Sequence, residues 1–175
     1  MVVVDEMKVG SGHRDAEIEA VYRRRYGKFL RVAVAILRDE QLAEEAVHDA
    51  FVRALRHRRG FRERGTLEAW LWRIVVNEAR RRRSIEQRAP VSPLAIGGSA
   101  SPIAATTNGH RDSGMLEAIV AALPERQRVT LFLRYYADLD YEAIATALGV
   151  KPGTVAATLH TAHAALRRQL LEVER

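Results

Sequence analysis

The 175-residue sequence contains no cysteine. That excludes a disulfide framework, a thiol nucleophile and a thiolate zinc site. No apolar run approaches the roughly 18 residues of a membrane-spanning helix, so no membrane insertion is expected. Met1 to Val9 carries Asp5 and Glu6 where a secretory leader would need a basic start and a long apolar stretch, which makes a cytoplasmic location the expectation. Proline is scarce: there are five, and three of them fall between Ala89 and Gly114 with four of the eleven glycines. The rest of the chain is nearly free of helix breakers. A glycine-rich phosphate loop, a nucleophile elbow and a metal-ligand set are also missing, which argues against an enzyme and implies no cofactor.

What the sequence has in quantity is arginine. The net charge is +6 and the pI near 10.1. Through Arg88 there are 20 Lys and Arg against 14 Asp and Glu, and after it 8 against 8, so the whole excess lies in the first half. Arginine suits bidentate phosphate contact better than lysine does.

Hydrophobic periodicity predicts an all-α protein of two small helical domains joined by a flexible linker. Residues 1–14 read as a flexible N-terminus. Residues 15–88 read as a bundle of three to four helices: one over Asp15 to Leu37, one over about Gln41 to His57, and one opening at Thr66. Residues 89–114 read as the linker, spanning about 25–30 Å as a random coil and about 90 Å at full stretch. Residues 115–175 form the second domain.

The helix in Gly65 to Arg83, G-T-L-E-A-W-L-W-R-I-V-V-N-E-A-R-R-R-R, has Thr66 as N-cap and Glu68 in its first turn. Helical spacing puts Leu67, Leu71, Ile74, Val75 and Glu78 on one side and Trp72, Arg73, Val76, Asn77 and Arg80 on the other. Trp70, Leu71 and Ile74 are expected in the core. An outward Trp72 beside an amide and a ladder of guanidinium groups suits stacking on bases and gripping phosphates. In the preceding helix Glu44, Glu45, His48 and Asp49 share a face opposite the apolar one. Glu45 and His48 have E-x-x-H spacing, but no second copy or further glutamates complete a dimetal site, and His160 and His163 lack a third ligand, so no metal is expected.

In the second domain Asp140 caps a short helix, Gly149 supplies a left-handed turn residue, and Pro152 opens a longer helix with Val155, Leu159, Ala162, Leu166 and Leu170 inside. This is a helix-turn-helix, winged-helix-like but without a wing.

Four blocks in order then identify a family resemblance: L-A-E-E-A-V-H-D-A-F at Leu42 to Phe51, A-W-L-W-R-I-V-V-N at Ala69 to Asn77, L-P-E-R-Q-R-V-T-L-F-L-R-Y-Y at Leu123 to Tyr136, and L-D-Y-E-A-I-A-T-A-L-G-V-K-P-G-T-V at Leu139 to Val155. The chain resembles the bacterial RNA polymerase sigma factors of the extracytoplasmic-function (ECF) family. The resemblance implies a non-catalytic transcription initiation factor, monomeric on core RNA polymerase, that confers promoter preference. It implies that the first domain recognises and melts the minus-ten element through Asn77 with Trp72, Arg73, Val76, Arg80 and Arg81, and through Phe61, Arg62 and Arg64 in the loop before. Its acidic face, Glu44, Glu45, His48 and Asp49, would dock on core RNA polymerase. The recognition-helix residues Lys151, Gly153, Thr154, Ala156, Ala157, Thr158 and Thr161 would read the minus-thirty-five element in promoter DNA. Relatives are commonly held by an anti-sigma factor. A polymerase-independent helix-turn-helix regulator is the alternative, although nothing resembles the dimerisation heptad that would favour it.

Two departures stand out. Arg81 occupies a place where relatives commonly carry aspartate. The recognition helix has small or neutral residues where relatives commonly carry Lys or Arg, and fewer cations mean fewer phosphate contacts. Reading through threonine hydroxyls, apolar contacts and DNA shape is expected instead. Residues 115–175 alone should therefore bind duplex promoter DNA weakly, with a shallow salt dependence in a titration; tight binding with a steep slope would contradict this reading.

Overall fold

The computed structural model describes residues 3–61, 65–88 and 111–173. Every regular element among them is helical: α1 Val3–Leu37, α2 Glu40–Arg56, α3 Leu67–Glu86, α4 Arg111–Ala122, α5 Glu125–Leu131, α6 Tyr141–Leu148 and α7 Pro152–Val173, with a 3₁₀ turn at Arg58–Gly60 and a π-helical turn at Phe132–Tyr136.

Helix α1 begins at Val3 rather than Asp15, so residues 3–14, expected as a flexible N-terminus, continue it. Gly10 and Gly12 obscured the helical signal there, but glycine lowers helix propensity without forbidding the conformation. The chain leaves α1 through Arg38 in the left-handed region (φ 62°), and Asp39 caps α2, its Oδ1 accepting from the Leu42 N–H at 2.8 Å. Residues 111–114, expected in the linker, belong to α4; residues 89–110 lie outside the described residues.

Helices α1, α2 and α3 pack on one another around Phe29, Val32, Ile36, Val47, Phe51, Leu71, Trp72 and Val75. The helix-turn-helix forms as its local signals predict. Asp140 Oδ1 accepts from the Ala143 N–H at 2.7 Å, Gly149 adopts φ 66°, and Pro152 is the first residue of α7. Ahead of it, the helix expected to continue to Tyr136 loosens into a π turn, with the Ala137 N–H donating to the Phe132 carbonyl.

The two halves, whose arrangement the sequence left open, pack together. Helix α6 lies along α3, α5 and the π turn lie against α1, and one hydrophobic cluster runs from Ile18 to Ala162. Their contact is fixed by side chains remote in sequence. The Arg128 guanidinium, only 2% exposed, donates from Nε to the Ala35 carbonyl at 2.8 Å and from Nη1 to Leu123 at 2.7 Å and Ala121 at 3.1 Å. Arg38 donates to the Ala121 carbonyl at 2.9 Å, and the Arg31 guanidinium lies 4.5 Å from the centre of the Tyr136 ring.

Two substitutions test the turn chemistry. Asp140→Ala should lower stability by about 1 kcal/mol through the lost cap. A β-carbon at Gly149 would meet no neighbouring atom, so Gly149→Ala should cost about 1–2 kcal/mol from backbone strain alone. Both should appear as a lower urea midpoint at unchanged m-value.

Candidate nucleic-acid interface

Thr66 starts α3 as expected, its Oγ1 accepting from the Ala69 N–H at 3.1 Å, and Glu68 in the first turn pairs with Arg25 at 2.9 Å and Arg24 at 3.5 Å. The helix is buried over a broad arc comprising Ala69, Leu71, Trp72, Val75, Val76, Glu78 and Ala79.

This arc corrects two expected surface residues. Trp72 is fully buried (0% exposed), its ring centroid 4.2 Å from that of Phe29, and Val76 is buried beside it. Neither can present its side chain to DNA in this packing. The reason is that α3 is covered twice, by α1 and α2 and again by α6, so the apolar arc is wider than the single stripe read from the sequence.

The strip left facing solvent runs through half-buried Trp70 to exposed Arg73, Asn77 and Arg81. Trp70, expected in the core, lies 5.7 Å from Phe61 ring to ring, and the Arg14 guanidinium carbon stands 5.2 Å from the Phe61 centroid. The accessible indole is thus Trp70, not Trp72. The spacing of 70, 73, 77 and 81 could have shown this, since 72, 76 and 79 follow the small and branched residues inward. Arg62 and Arg64 lie outside the described residues.

The arginine ladder is largely engaged within the molecule. Arg80 and Arg83 reach Glu125 at 3.4 and 2.6 Å, and Arg83 also donates to the Ile36 carbonyl at 2.9 Å. Arg81 grips the Glu78 carboxylate, which is 1% exposed and also met by Arg53 at 3.1 Å. These hydrogen bonds hold the Arg81 guanidinium above its ordinary pKa. Arg73 has no carboxylate partner among the described residues.

Glu44, Glu45, His48 and Asp49 line one recess of about 410 Å³ with Tyr22, Tyr26 and Arg82. Arg82 bridges Glu45 and Asp49, so half of the expected acidic face is already matched internally. The hydrogen bond from Arg82 holds the Asp49 carboxyl below its ordinary pKa, while burial, then Tyr22 and Glu44, raises that of Tyr26. No three His, Asp or Glu side chains among the described residues are grouped to hold a metal ion.

On α7, Val155, Leu159 and Ala162 face inward, whereas Gly153, Ala156, Ala157 and Thr161 are exposed, as is Lys151 just before the helix, and Thr154 and Thr158 are half-buried. The Thr158 and Thr161 hydroxyls donate to the Thr154 and Ala157 carbonyls, both at 2.7 Å, leaving their oxygens as outward acceptors. Tyr135, 64% exposed and not anticipated from the sequence, sits beside this helix with its hydroxyl 2.9 Å from His163 Nε2.

Comparison with known proteins gives two family matches: residues 21–89 to Sigma-70 region 2 and residues 113–166 to Sigma-70, region 4. The RNA polymerase sigma-E factor of Streptomyces coelicolor is 30% identical over 89% of this chain and 86% of its own length. The ECF RNA polymerase sigma factor SigM of Mycobacterium tuberculosis is 28% identical over 87% of this chain and 76% of its own. Among solved structures, the sigma factor RpoE of Bartonella quintana, in complex with the anti-sigma factor NepR, shares the fold with a TM-score of 0.66 at 21% identity, over 91% of this chain and 99% of that one. CnrH, in complex with the cytosolic domain of CnrY, does so with a TM-score of 0.66 at 17% identity, over 94% and 96%.

The Asp49–Arg82 contact has a pH signature. A carboxylate whose pKa is lowered on folding contributes stability that is present at neutral pH and lost as pH falls through the folded value. In Arg82→Ala the Asp49 carboxyl should titrate nearer its ordinary value, and the acid-side loss of stability should shrink; carboxyl-carbon NMR titration and urea melts at several pH values read both.

Proposed function

This chain belongs to the ECF-type RNA polymerase sigma factors, with sigma-70 regions 2 and 4, and from that premise we propose how its surfaces divide the work. A sigma factor of this type serves promoter recognition by RNA polymerase through those two regions and has no catalytic centre of its own. Region 2, in residues 15–88, takes the minus-ten element, and region 4, in residues 115–175, takes the minus-thirty-five element.

The observation that carries the region 2 assignment is the solvent strip of α3, where Trp70 and Phe61 provide aromatic surface and Arg73 and Asn77 provide donors. Unstacked bases need a π-face to lie on and polar groups to meet their exposed edges. The strip stands on a helix whose other faces are locked in the core, which favours fixed presentation. Core RNA polymerase docks at the recess around Glu44 and His48, the two residues of that face outside the Arg82 bridge, where the Glu44 carboxylate meets the enzyme and does not compete for DNA. Region 4 reads its element with the exposed threonine and alanine face of α7, hydroxyl oxygens accepting from base amino groups and methyl groups meeting thymine. The exposed cation Lys151 adds a phosphate contact at its start. One of the solved neighbours was captured with a protein named as an anti-sigma factor; an anti-sigma factor is accordingly a partner of this chain, which acts in the cytoplasm as a monomer on polymerase.

Run-off transcription with core RNA polymerase, with and without this protein, tests the reading on a pool of promoter fragments. New discrete start sites are expected. Trp70→Ala and Asn77→Ala should reduce open-complex formation roughly tenfold or more, in keeping with about 1–3 kcal/mol per stacked base, and premelted templates should restore much of the loss. Trp72→Ala should instead lose activity with the fold, at a cost of about 3–5 kcal/mol. DNA binding without start-site selection would favour a polymerase-independent regulator.

A further inference from the structure

One charged cluster of α2 and α3 has no part in the reading above. At its centre is Glu78, whose side chain is fully buried. Two arginines from different helices close over it. Arg81, three residues further along α3, donates to Glu78 Oε1 from Nε at 3.0 Å and from Nη2 at 2.5 Å, and Arg53 of α2 brings its Nη2 within 3.1 Å of Oε2. The side chains of Arg53 and Arg81 remain 48% and 49% exposed. We propose that Arg53 and Arg81, oriented by Glu78, form a seat for one backbone phosphate of a single DNA strand, extending the outer strip of α3 beyond Asn77. The seat rests on the region 2 reading for the identity of its ligand.

Charge, spare donors and position all suit a phosphate. Two guanidinium groups share one carboxylate, so the pair keeps a surplus of one positive charge at the surface. Arg82 stands 3.9 Å from the same carboxylate but is matched by Glu45 and Asp49, and it adds nothing to the surplus. A guanidinium carries five N–H donors in one plane, and its bidentate edges fit phosphate as well as carboxylate. Arg81 commits Nε and Nη2 to Glu78 and Arg53 commits Nη2; neither side chain donates to any other group among the described residues, so Nη1 of both and Nε of Arg53 are left for a ligand. Arg73, Asn77 and Arg81 follow one another at four-residue intervals on the exposed strip, about 6 Å of rise each. A strand that stacks a base on Trp70 and meets Asn77 therefore carries its backbone on toward the pair.

Glu78 acts here as a positioning residue. Its negative charge opposes DNA at long range, and what it contributes is orientation: two long side chains that would otherwise sample many rotamers are fixed from beneath by a carboxylate that cannot turn to water. Removing that charge separates the two effects. Bulk attraction calls for tighter strand binding once Glu78 is neutral, whereas an oriented seat calls for weaker binding.

Fluorescence anisotropy of a labelled single-stranded oligonucleotide of mixed sequence, titrated with the full-length protein over a range of salt concentrations, tests the seat. Arg53→Ala and Arg81→Ala should each weaken binding about five-fold and lower the salt slope by about 0.7, the share of one single-strand phosphate. The double variant should lose little more than either single one, because both groups hold the same phosphate. Arg81→Lys should keep the slope yet lose affinity, since an ammonium retains the charge without the planar fork. Glu78→Gln should bind about three-fold more weakly than the parent despite its more positive net charge. Glu86→Gln, the same charge change at an exposed site of α3, should bind at least as tightly as the parent. If Glu78→Gln proves poorly folded by circular dichroism, Arg81→Lys and the double variant decide. An unchanged slope in the alanine variants, additive losses in the double variant, full affinity in Arg81→Lys, tighter binding by a folded Glu78→Gln, or no strand binding by the parent would each overturn the seat. Neither polymerase nor promoter enters these titrations, so a failed run-off assay would sink the sigma reading while leaving their result standing, and loss of the seat would leave start-site selection standing.

Discussion

The arrangement depends on how the C-terminal carbonyls of α1 are satisfied. A helix ends with carbonyl groups that have no intrahelical partner, and burying them unpaired is costly. Here the α1 end is buried, and the chain turns away at once through Arg38 into α2, leaving Ala35 and Ile36 to be met by side chains. Arg128 and Arg83 meet them. Guanidinium is well suited to the task, because it carries several donors in one plane, stays ionised despite a lowered pKa, and favours the negative end of the helix dipole. Once Arg128 is committed to Ala35, α5 is fixed against α1, α6 is carried onto α3, and the orientation of α7 follows.

The same economy governs the charge. A basic first half suggests a broad electrostatic attraction, yet most of its structured arginines already face carboxylates: Arg24 and Arg25 at Glu68, Arg53 and Arg81 at Glu78, Arg58 at Asp15, Arg82 at Glu45 and Asp49. Formal net charge therefore overstates what a phosphate backbone would feel near α3. On the proposed reading, recognition rests on a small number of oriented groups, Trp70, Arg73 and Asn77, more than on bulk attraction. The neutral recognition helix has the same character. Both halves trade long-range pull for local fit, which leaves room for a polymerase to supply much of the affinity.

Local signals were legible in the sequence, and relations between distant elements were not. Asp39 was not singled out, but Thr66, Asp140, Gly149 and Pro152 each announce a boundary through their own backbone chemistry, and the helix-turn-helix could be placed from them. The faces of α3 were legible in part: the spacing of 70, 73, 77 and 81 marks its outer strip, but the breadth of the buried arc depends on a second neighbour, α6, which comes from the other half of the chain. Glu125 and Arg128 were visible inside L-P-E-R-Q-R-V, but their spacing says nothing about Ala35, Ile36 or Arg83. A glycine pair also concealed the beginning of α1.

Because α3 faces both ways, its two roles are coupled. Asn77 and Arg73 look outward, while one residue away Val76 is buried in the core shared with α6. The buried residues of α6 are Ile144, Ala145 and Ala147, two of the three alanine, and α3 has Ala69 and Ala79 among its own. At about 25 cal/mol per Å² of apolar surface removed from water, alanines contribute modestly compared with the leucines and aromatics at the centre of each half. Each half keeps its own heavier core: Phe29, Phe51 and Trp72 in one, Leu123, Leu133 and Leu159 in the other. Parting them would release the cross-half contacts of Arg31, Arg38, Arg80, Arg83 and Arg128.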